Sequence, residues 1–137
     1  RNAQTLASHA EIQKLQQAGL TIQLEKNLQD IEKFDLIVIS PGVPQTHPLV
    51  QAALKLHLPV IGEIELGCQF AVNPMIGITG TNGKTTVTLL VTHVLKRCGY
   101  PARALGNVEV PFTQELLNIP SHENIVLELS SYQIETL

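Results

Sequence analysis

A glycine-rich loop between a strand and a helix constrains this chain more than any other feature of its sequence. Residues 75–78 are predicted to form a strand and residues 84–98 a helix, and the sequence GITGTNGKTT covers residues 77–86. Successive backbone N–H groups in such a loop form a concave anion site, and the helix N-terminus adds partial positive charge. The loop therefore predicts a phosphate-binding site in which Lys84 reaches the outer phosphates and the Thr85 hydroxyl ligates Mg²⁺.

The spacing of the glycines departs from the common phosphate loop. That pattern places a glycine five residues before Gly83, where this chain has Ile78, and the glycines here are Gly77, Gly80 and Gly83. A glycine-rich turn that happens to precede Lys-Thr is the alternative interpretation. The phosphate-binding prediction covers seven consecutive residues: Gly80, Thr81, Asn82, Gly83, Lys84, Thr85 and Thr86.

Strand and helix signals alternate along the chain. This alternation predicts an α/β fold with two successive open, mostly parallel sheets. The run Leu36–Ile39 is rich in β-branched residues and predicts a strand buried on both faces. A boundary at Asn73-Pro74 is predicted to divide residues 1–72 from residues 73–137. Strands are predicted at 21–24, 36–39, 59–62, 75–78, 102–105 and 124–129, and helices at 8–18, 48–57, 63–70, 84–98 and 111–117.

Polar residues stand where several predicted strands end. Ligands of open α/β sheets bind at the carboxyl edge, so Glu128 is predicted to hold Mg²⁺ directly or through water, the alternative being a carboxylate that faces solvent. The turn Ser40-Pro41-Gly42 would expose backbone N–H groups to a phosphate or a base, and a plain turn is the alternative. Asn107 follows another strand and is either a ligand contact or a turn residue.

Composition narrows the possible classes of protein. The 137 residues are 44% hydrophobic and 15% charged, with a net charge of −3, which argues against disorder and against bulk attraction to nucleic acid or membranes. The sequence has no long apolar run or leader, and two distant cysteines predict reduced thiols in the cytoplasm. The five histidines lack ligand spacing. The missing initiator Met and the end inside a predicted helix suggest part of a longer protein.

Four sequence motifs, in the same order, resemble the Mur ligase and folylpolyglutamate synthase superfamily. The loop at 80–85, with its Gly77, Gly80 and Gly83 spacing, is similar to the ATP loop of that superfamily. Within it, the segments at 127–135, 40–44 and 62–66 resemble the UDP-N-acetylmuramoyl-L-alanine:D-glutamate ligases, which usually have Phe in place of Tyr132. The resemblance covers residues 35–137.

The resemblance implies part of a three-domain enzyme. Residues 1–72 would belong to a Rossmann-like domain that binds the UDP substrate, and residues 73–137 would begin a P-loop ATP-binding domain. A C-terminal domain would be absent, and with it the contacts to the incoming amino acid. This fragment would be inactive by itself, and the full enzyme would be a cytoplasmic monomer in peptidoglycan precursor synthesis.

The roles implied by the resemblance fall on particular residues. Lys84 and Glu128 would be catalytic, with Thr85 and Glu128 at Mg²⁺. The substrates would be ATP, D-glutamate and UDP-N-acetylmuramoyl-L-alanine, joined through an acyl phosphate. Another amino-acid ligase of the same superfamily and a nucleotide-binding module without catalysis are the alternatives. The UDP substrate would contact Ser40, Pro41, Gly42, Asn107 and Gln133, and Arg1 is a further candidate on the uracil side.

Overall fold

The computed structural model describes residues 9–21, 30–107 and 111–134, which fall into two compact units, residues 1–30 and 31–137. The described part of the first unit contains helix α1, His9–Gln17. Gly19 follows with φ of +87°, the left-handed conformation in which glycine often ends a helix. Ser8, the first residue of the predicted helix, and residues 22–24 of the first predicted strand lie outside the described residues.

The second unit contains two small parallel sheets, which confirms the mixed α/β prediction. In the first sheet β1 pairs with β2, and in the second the order is β3-β5-β4. A short 3₁₀ helix at Ile31–Lys33 precedes them. In chain order the elements are β1 Ile37–Ile39, α2 Pro48–Lys55, β2 Val60–Gly62, α3 Glu63–Phe70, β3 Met75–Ile78, α4 Lys84–Arg97, β4 Ala102–Gly106, α5 Phe112–Leu116, β5 Asn124–Glu128 and α6 Ser131–Ile134.

The strand register of the second sheet brings three chain segments to one edge. Ile78 and Gly106 each lie opposite Glu128, the last residue of the central strand β5. Because all three strands are parallel, the glycine-rich loop after β3 and Asn107 after β4 emerge at the same carboxyl edge as Glu128. In the first sheet Ile39 lies opposite Gly62, so Ser40 and Glu63 likewise follow adjacent strand ends.

A shared core joins helix α3, which follows the first sheet, to the second sheet. Phe112 of α5 is fully buried, and Gly67 of α3 faces its ring. The close approach depends on glycine, since a Cβ at position 67 would stand 2.5 Å from Phe112 Cδ1. The core cluster consists of Ile64, Leu105, Phe112, Ile119, Ile125 and Leu127.

Two sequence expectations about burial are wrong. Strand β1 is not buried on both faces, because Val38 is 44% exposed and, among the described residues, β1 pairs with β2 and no other strand. Helical spacing predicts one apolar, inward face of α4, formed by Val87, Leu90, Val91, Val94 and Leu95. In the structure Val87 and Leu90 are exposed, while Thr88 and Thr92 are buried. Apolar residues occur on several sides of α4, so their spacing did not define the inward face.

The predicted junction at residue 73 is fixed by side-chain hydrogen bonds. The buried Asn73 amide donates to the carbonyl oxygens of Pro120 (2.7 Å) and Glu123 (3.0 Å). The two sheets lie on either side of this point in the sequence but within one compact unit, and the domain boundary at residues 72 and 73 stays a prediction. No helix in the described ranges combines the length and apolar character needed to cross a membrane.

Candidate nucleotide-binding site

The glycine-rich loop connects β3 to α4 in a conformation that exposes backbone groups. Gly80 and Gly83 have φ of +152° and +74°, values that side chains rarely permit. Gly83 is the N-cap residue of α4 and has no side chain that could accept a hydrogen bond from the first turn. The backbone N–H groups of that turn therefore face the loop without a side-chain partner. All seven residues predicted to bind phosphate lie on this segment.

Lys84 folds back over the loop instead of extending from it. Its Nζ donates to the carbonyl oxygens of Gly80 (2.8 Å) and Thr81 (3.4 Å). The ammonium group is thereby held above the loop, while Thr85 at the next position is exposed. A cation at the helix N-terminus, where nothing acidic stands in the first turn, favours an anionic ligand.

Glu128 is a buried carboxylate with an unused oxygen. The residue is 2% exposed, its Oε1 lies 3.4 Å from the donor Asn107 Nδ2, and its buried Oε2 has no hydrogen-bond partner. The alternative that Glu128 faces solvent is therefore wrong. A buried carboxylate oxygen without a partner is costly, so a ligand that satisfies it is expected.

This oxygen suits a hard cation such as Mg²⁺, which prefers carboxylate and hydroxyl oxygens and retains several waters. The described residues contain no group of three or more His, Cys, Asp or Glu side chains that could hold a metal by themselves. Such a site fits Mg²⁺ bound mainly through phosphate and water, with Thr85 and Glu128 as protein ligands. That Thr85 and Glu128 share one ion stays a prediction.

Two adjoining cavities collect the residues predicted to bind a UDP substrate. The larger, about 560 Å³, is lined by Ser40, Pro41 and Gly42, and the smaller, about 320 Å³, by Asn107 and residues it shares with the first. The shared residues follow strands of both sheets, Ser40, Pro41 and Glu63 after the first sheet and Gln133 in α6 after the second. All five predicted residues are thus brought together, although their separation in sequence is up to 93 positions from Ser40 to Gln133. Arg1 lies outside the described residues.

Gln133 reaches the cavities as part of a fixed turn at the start of α6. Its Oε1 accepts a hydrogen bond from the Ser130 backbone N–H at 2.7 Å, and its own N–H donates to the Ser130 carbonyl. These bonds hold a buried amide against the cavity wall. The sequence indicated Gln133 only through the resemblance of its surrounding motif, and its contact with a UDP substrate stays a prediction.

Sequence reasoning missed Glu63 and Arg103. Glu63 lines both cavities, and its Oε1 accepts hydrogen bonds from the Thr113 N–H and hydroxyl, both at 2.6 Å. Its position directly after a strand, like that of Ser40, was the available signal. Arg103 pairs with Glu123 and Glu115, and its hydrogen bonds, that with Glu123 above all, raise the pKa of the guanidinium.

The histidines and cysteines described in this unit have no arrangement typical of a metal or thiol site. The His47 Nδ1 accepts a hydrogen bond from the Leu49 N–H and caps α2, which is a structural role. Both cysteines are free thiols. Burial, and then the nearby Glu63 and Glu65 charges, raise the pKa of Cys68, which keeps this thiol protonated.

Comparison with known proteins gives the family. Residues 78–136 match the Mur ligase middle domain. The chain is 53% identical over 131 residues to the UDP-N-acetylmuramoylalanine–D-glutamate ligase of Protochlamydia amoebophila, covering 96% of this chain and 30% of that protein. The chain belongs to the Mur ligase family. The resemblance stated from residues 35–137 is confirmed and extends toward the N-terminus.

Other curated Mur ligases agree with this assignment. The D-glutamate ligase of Desulfatibacillum aliphaticivorans is 40% identical over 93% of this chain and 29% of its own length. That of Enterococcus faecalis is 45% identical over 75% of this chain and 23% of its own length. The chain therefore spans less than a third of the length of these curated relatives.

Proposed function

We propose that this chain is the substrate- and ATP-binding part of an ATP-dependent ligase that adds D-glutamate to UDP-N-acetylmuramoyl-L-alanine. One observation carries the proposal. In a chain 53% identical to a ligase of that name, the unpartnered oxygen of Glu128 lies at the sheet edge from which the glycine-rich loop emerges. An anion loop beside a buried carboxylate is the combination that a nucleotide–Mg²⁺ complex requires.

The glycine-rich loop serves as a P-loop for ATP in this proposal. Its N–H groups and the α4 N-terminus bind the β- and γ-phosphates. Lys84 Nζ gives up its hydrogen bonds to the loop carbonyl oxygens and donates to phosphate oxygens instead. Thr85 and Glu128 hold Mg²⁺, which neutralises charge that develops during phosphoryl transfer. Lys84 and Glu128 are thus the two proposed catalytic residues.

The two cavities receive the UDP-linked substrate. Their walls combine apolar surfaces from Pro41 and Ile64 with polar groups at Ser40, Asn107 and Gln133, a mixture typical of small-molecule sites. Residues 1–72 act as a Rossmann-like substrate domain, and residues 73–137 begin the ATP-binding domain. Asn107 contacts Glu128 and lines the smaller cavity, so it connects the two proposed sites.

Activation of a carboxylate explains why both sites belong to one enzyme. A carboxylate is a poor electrophile, because its leaving group would be oxide. Transfer of the γ-phosphoryl group to the substrate carboxylate releases ADP and forms an acyl phosphate. The amine of D-glutamate then attacks the carbonyl carbon, the C–O bond to phosphate breaks, and the amine loses a proton as the amide forms. Positioning these groups supplies much of the rate increase.

The cellular setting follows from the substrates. Precursor synthesis from a UDP-sugar and ATP takes place in the cytoplasm, where both nucleotides are available, and we propose a monomeric enzyme there. No nucleic-acid or membrane partner is part of the proposal.

Phosphate release in the presence of each amino acid tests the proposal. The experiment uses a full-length form that spans the curated relatives, with ATP, Mg²⁺ and UDP-N-acetylmuramoyl-L-alanine, and adds D-glutamate, L-glutamate, L-alanine or L-lysine in parallel. Release that depends on D-glutamate is expected. Preference for another amino acid would indicate a different ligase of the family, and nucleotide binding without release would indicate a non-catalytic module.

A further inference from the structure

Glu63 makes a hydrogen-bonded connection between the two walls of the cavities. It is the first residue of α3 and follows β2 directly, so its backbone belongs to the first sheet's carboxyl edge. Its Oε1 accepts from the N–H and the hydroxyl of Thr113, which lies in α5 beside the second sheet, at 2.6 Å each. Two short hydrogen bonds to one carboxylate oxygen are charge-assisted and directional.

This carboxylate performs a capping role that α5 lacks locally. The N-cap residue of α5 is Pro111, which forms no side-chain cap. Glu63, fifty positions earlier in the chain, supplies the acceptor for a first-turn N–H group instead. A negative charge at a helix N-terminus is favourable, so α5 is held at its start by a residue from the opposite wall.

The connection is placed between residues that line the cavities. Glu63 lines both of them, with Ser40 and Pro41 on one side and Asn107 and Gln133 on the other. Pro111, the N-cap residue of α5 and two positions before Thr113, lines the smaller cavity together with Asn107. A shift of the α5 start would therefore change the position of the Pro111 wall relative to the Ser40 wall.

The packing beneath the connection is rigid. Gly67, one turn along α3, faces the ring of Phe112, which is fully buried and adjoins Thr113. Side chains in such an interface have little room to adjust, so the hydrogen bonds and the packing fix the same distance. Loss of the bonds leaves the packing in place but removes the directional restraint at the cavity end of the interface.

We propose that Glu63, through Thr113, is a positioning residue that sets the width of the UDP-substrate cavity between its two walls. The inference rests on the proposed function, because it takes the cavity ligand to be a UDP-linked substrate. Glu63 acts through α5 and the Pro111 wall, so its effect should appear in UDP binding and should leave the glycine-rich loop unchanged.

Calorimetric titration with UDP and, separately, with ATP–Mg²⁺ tests the inference in a full-length form of the protein. Thr113→Val removes the hydroxyl bond, Thr113→Ser preserves it, and Glu63→Gln keeps an acceptor but removes the charge. We expect Thr113→Val and Glu63→Gln to weaken UDP binding about 3- to 10-fold. Thr113→Ser should bind UDP as the unmodified protein does, and ATP affinity should change less than about twofold in every variant.

Glu65→Gln is the matched control on the same helix, because Glu65 lines neither cavity. Lower stability with unchanged UDP affinity in Thr113→Val and Glu63→Gln would show a merely structural bond and overturn the inference. If Thr113→Val does not fold, the UDP affinity of Glu63→Gln is compared with that of Glu65→Gln, and equal affinities overturn the inference. Absence of UDP binding by the unmodified protein would instead overturn the UDP part of the proposed function, and the inference with it.

Discussion

At the scale of single residues, the unpartnered oxygen of Glu128 is the most informative feature. A carboxylate in this position costs stability unless a ligand satisfies it, because burial removes the water that would otherwise solvate its charge. The protein keeps it at the edge where the glycine-rich loop emerges. Retaining a destabilising group beside an anion loop is typical of sites that are completed by a cation and a phosphate.

Glu128→Gln should separate metal binding from stability. The substitution keeps the shape and an acceptor for Asn107 but removes the charge. We expect the Mg²⁺-dependent part of ATP affinity to fall roughly 10- to 100-fold, while the melting temperature stays equal or rises. ATP titrations over a range of Mg²⁺ concentrations measure the change in Mg²⁺-dependent affinity, and Glu65→Gln is the control. An unaltered Mg²⁺ dependence would remove Glu128 from the metal site.

Lys84→Ala should weaken triphosphate binding strongly. The Nζ group bonds two loop carbonyls, Gly80 and Thr81, and in the complex it would bond phosphate oxygens instead. Loss of one charge-assisted hydrogen bond corresponds to roughly a 10- to 150-fold weaker ATP affinity. Lys96→Ala, in the last turn of the same helix, serves as control for the loss of charge. Equal ATP affinity of the two variants would contradict the role of Lys84.

At the scale of elements, α3 and α5 depend on a glycine that permits close contact. Gly67→Ala would bring a Cβ to 2.5 Å from the Phe112 ring, and neither residue has space to move. We expect the free energy of unfolding to fall by about 1–3 kcal/mol, although alanine favours the helix by about 0.5–1 kcal/mol. Urea denaturation measures this loss.

Phe112→Leu should restore part of the stability lost in Gly67→Ala, since the smaller side chain frees the space that the new methyl group needs. Gly42→Ala is the control, because a Cβ there would meet nothing within 4 Å. A Gly67→Ala protein as stable as the unmodified one would mean that α3 and α5 separate easily, and would weaken the inference drawn for Glu63.

The sequence predicted elements better than it predicted their environment. The bounds of α3, β3 and the start of α4 were predicted correctly, because glycine and proline punctuate the chain on either side of them. The burial of β1 and the inward face of α4 were wrong, since both depend on which elements cover them, and local periodicity does not contain that information.

Only part of the candidate site could be predicted from the sequence, again because local patterns do not show which elements meet. Lys84 and Glu128 follow predicted parallel strands, so topology alone placed them at one edge. The cavities required Ser40 and Gln133 to meet across two sheets, and only the family resemblance indicated that. Glu63 was missed because a helix-initiating glutamate is ordinary in sequence, and its bond to Thr113 arises from tertiary packing.

At the scale of the whole molecule, the second sheet has an exposed side. Strand β3 pairs with β5 and, among the described residues, with no other strand, while Met75 and Ile76 are 40% and 37% exposed. On α4, Val87, Leu90 and Val94 share one face at helical spacing and are also exposed. A strand edge next to apolar surface of this kind promotes pairing between chains.

The 137-residue chain by itself should therefore bind nucleotide weakly, self-associate and catalyse no ligation. The described residues bring together the groups proposed to bind ATP and the UDP substrate, and the family resemblance implies that the contacts to the amino acid lie beyond Leu137. Positioning of the amine can account for roughly 7–11 kcal/mol of the barrier, so its loss should abolish measurable turnover.

Sedimentation velocity and phosphate release measure self-association and turnover on one sample. A Leu90→Lys, Val94→Lys variant should shift the sedimentation toward monomer without restoring turnover, because charges on an exposed α4 face oppose association and leave the glycine-rich loop intact. Turnover by a monomeric 137-residue chain would show that amine positioning needs nothing outside it.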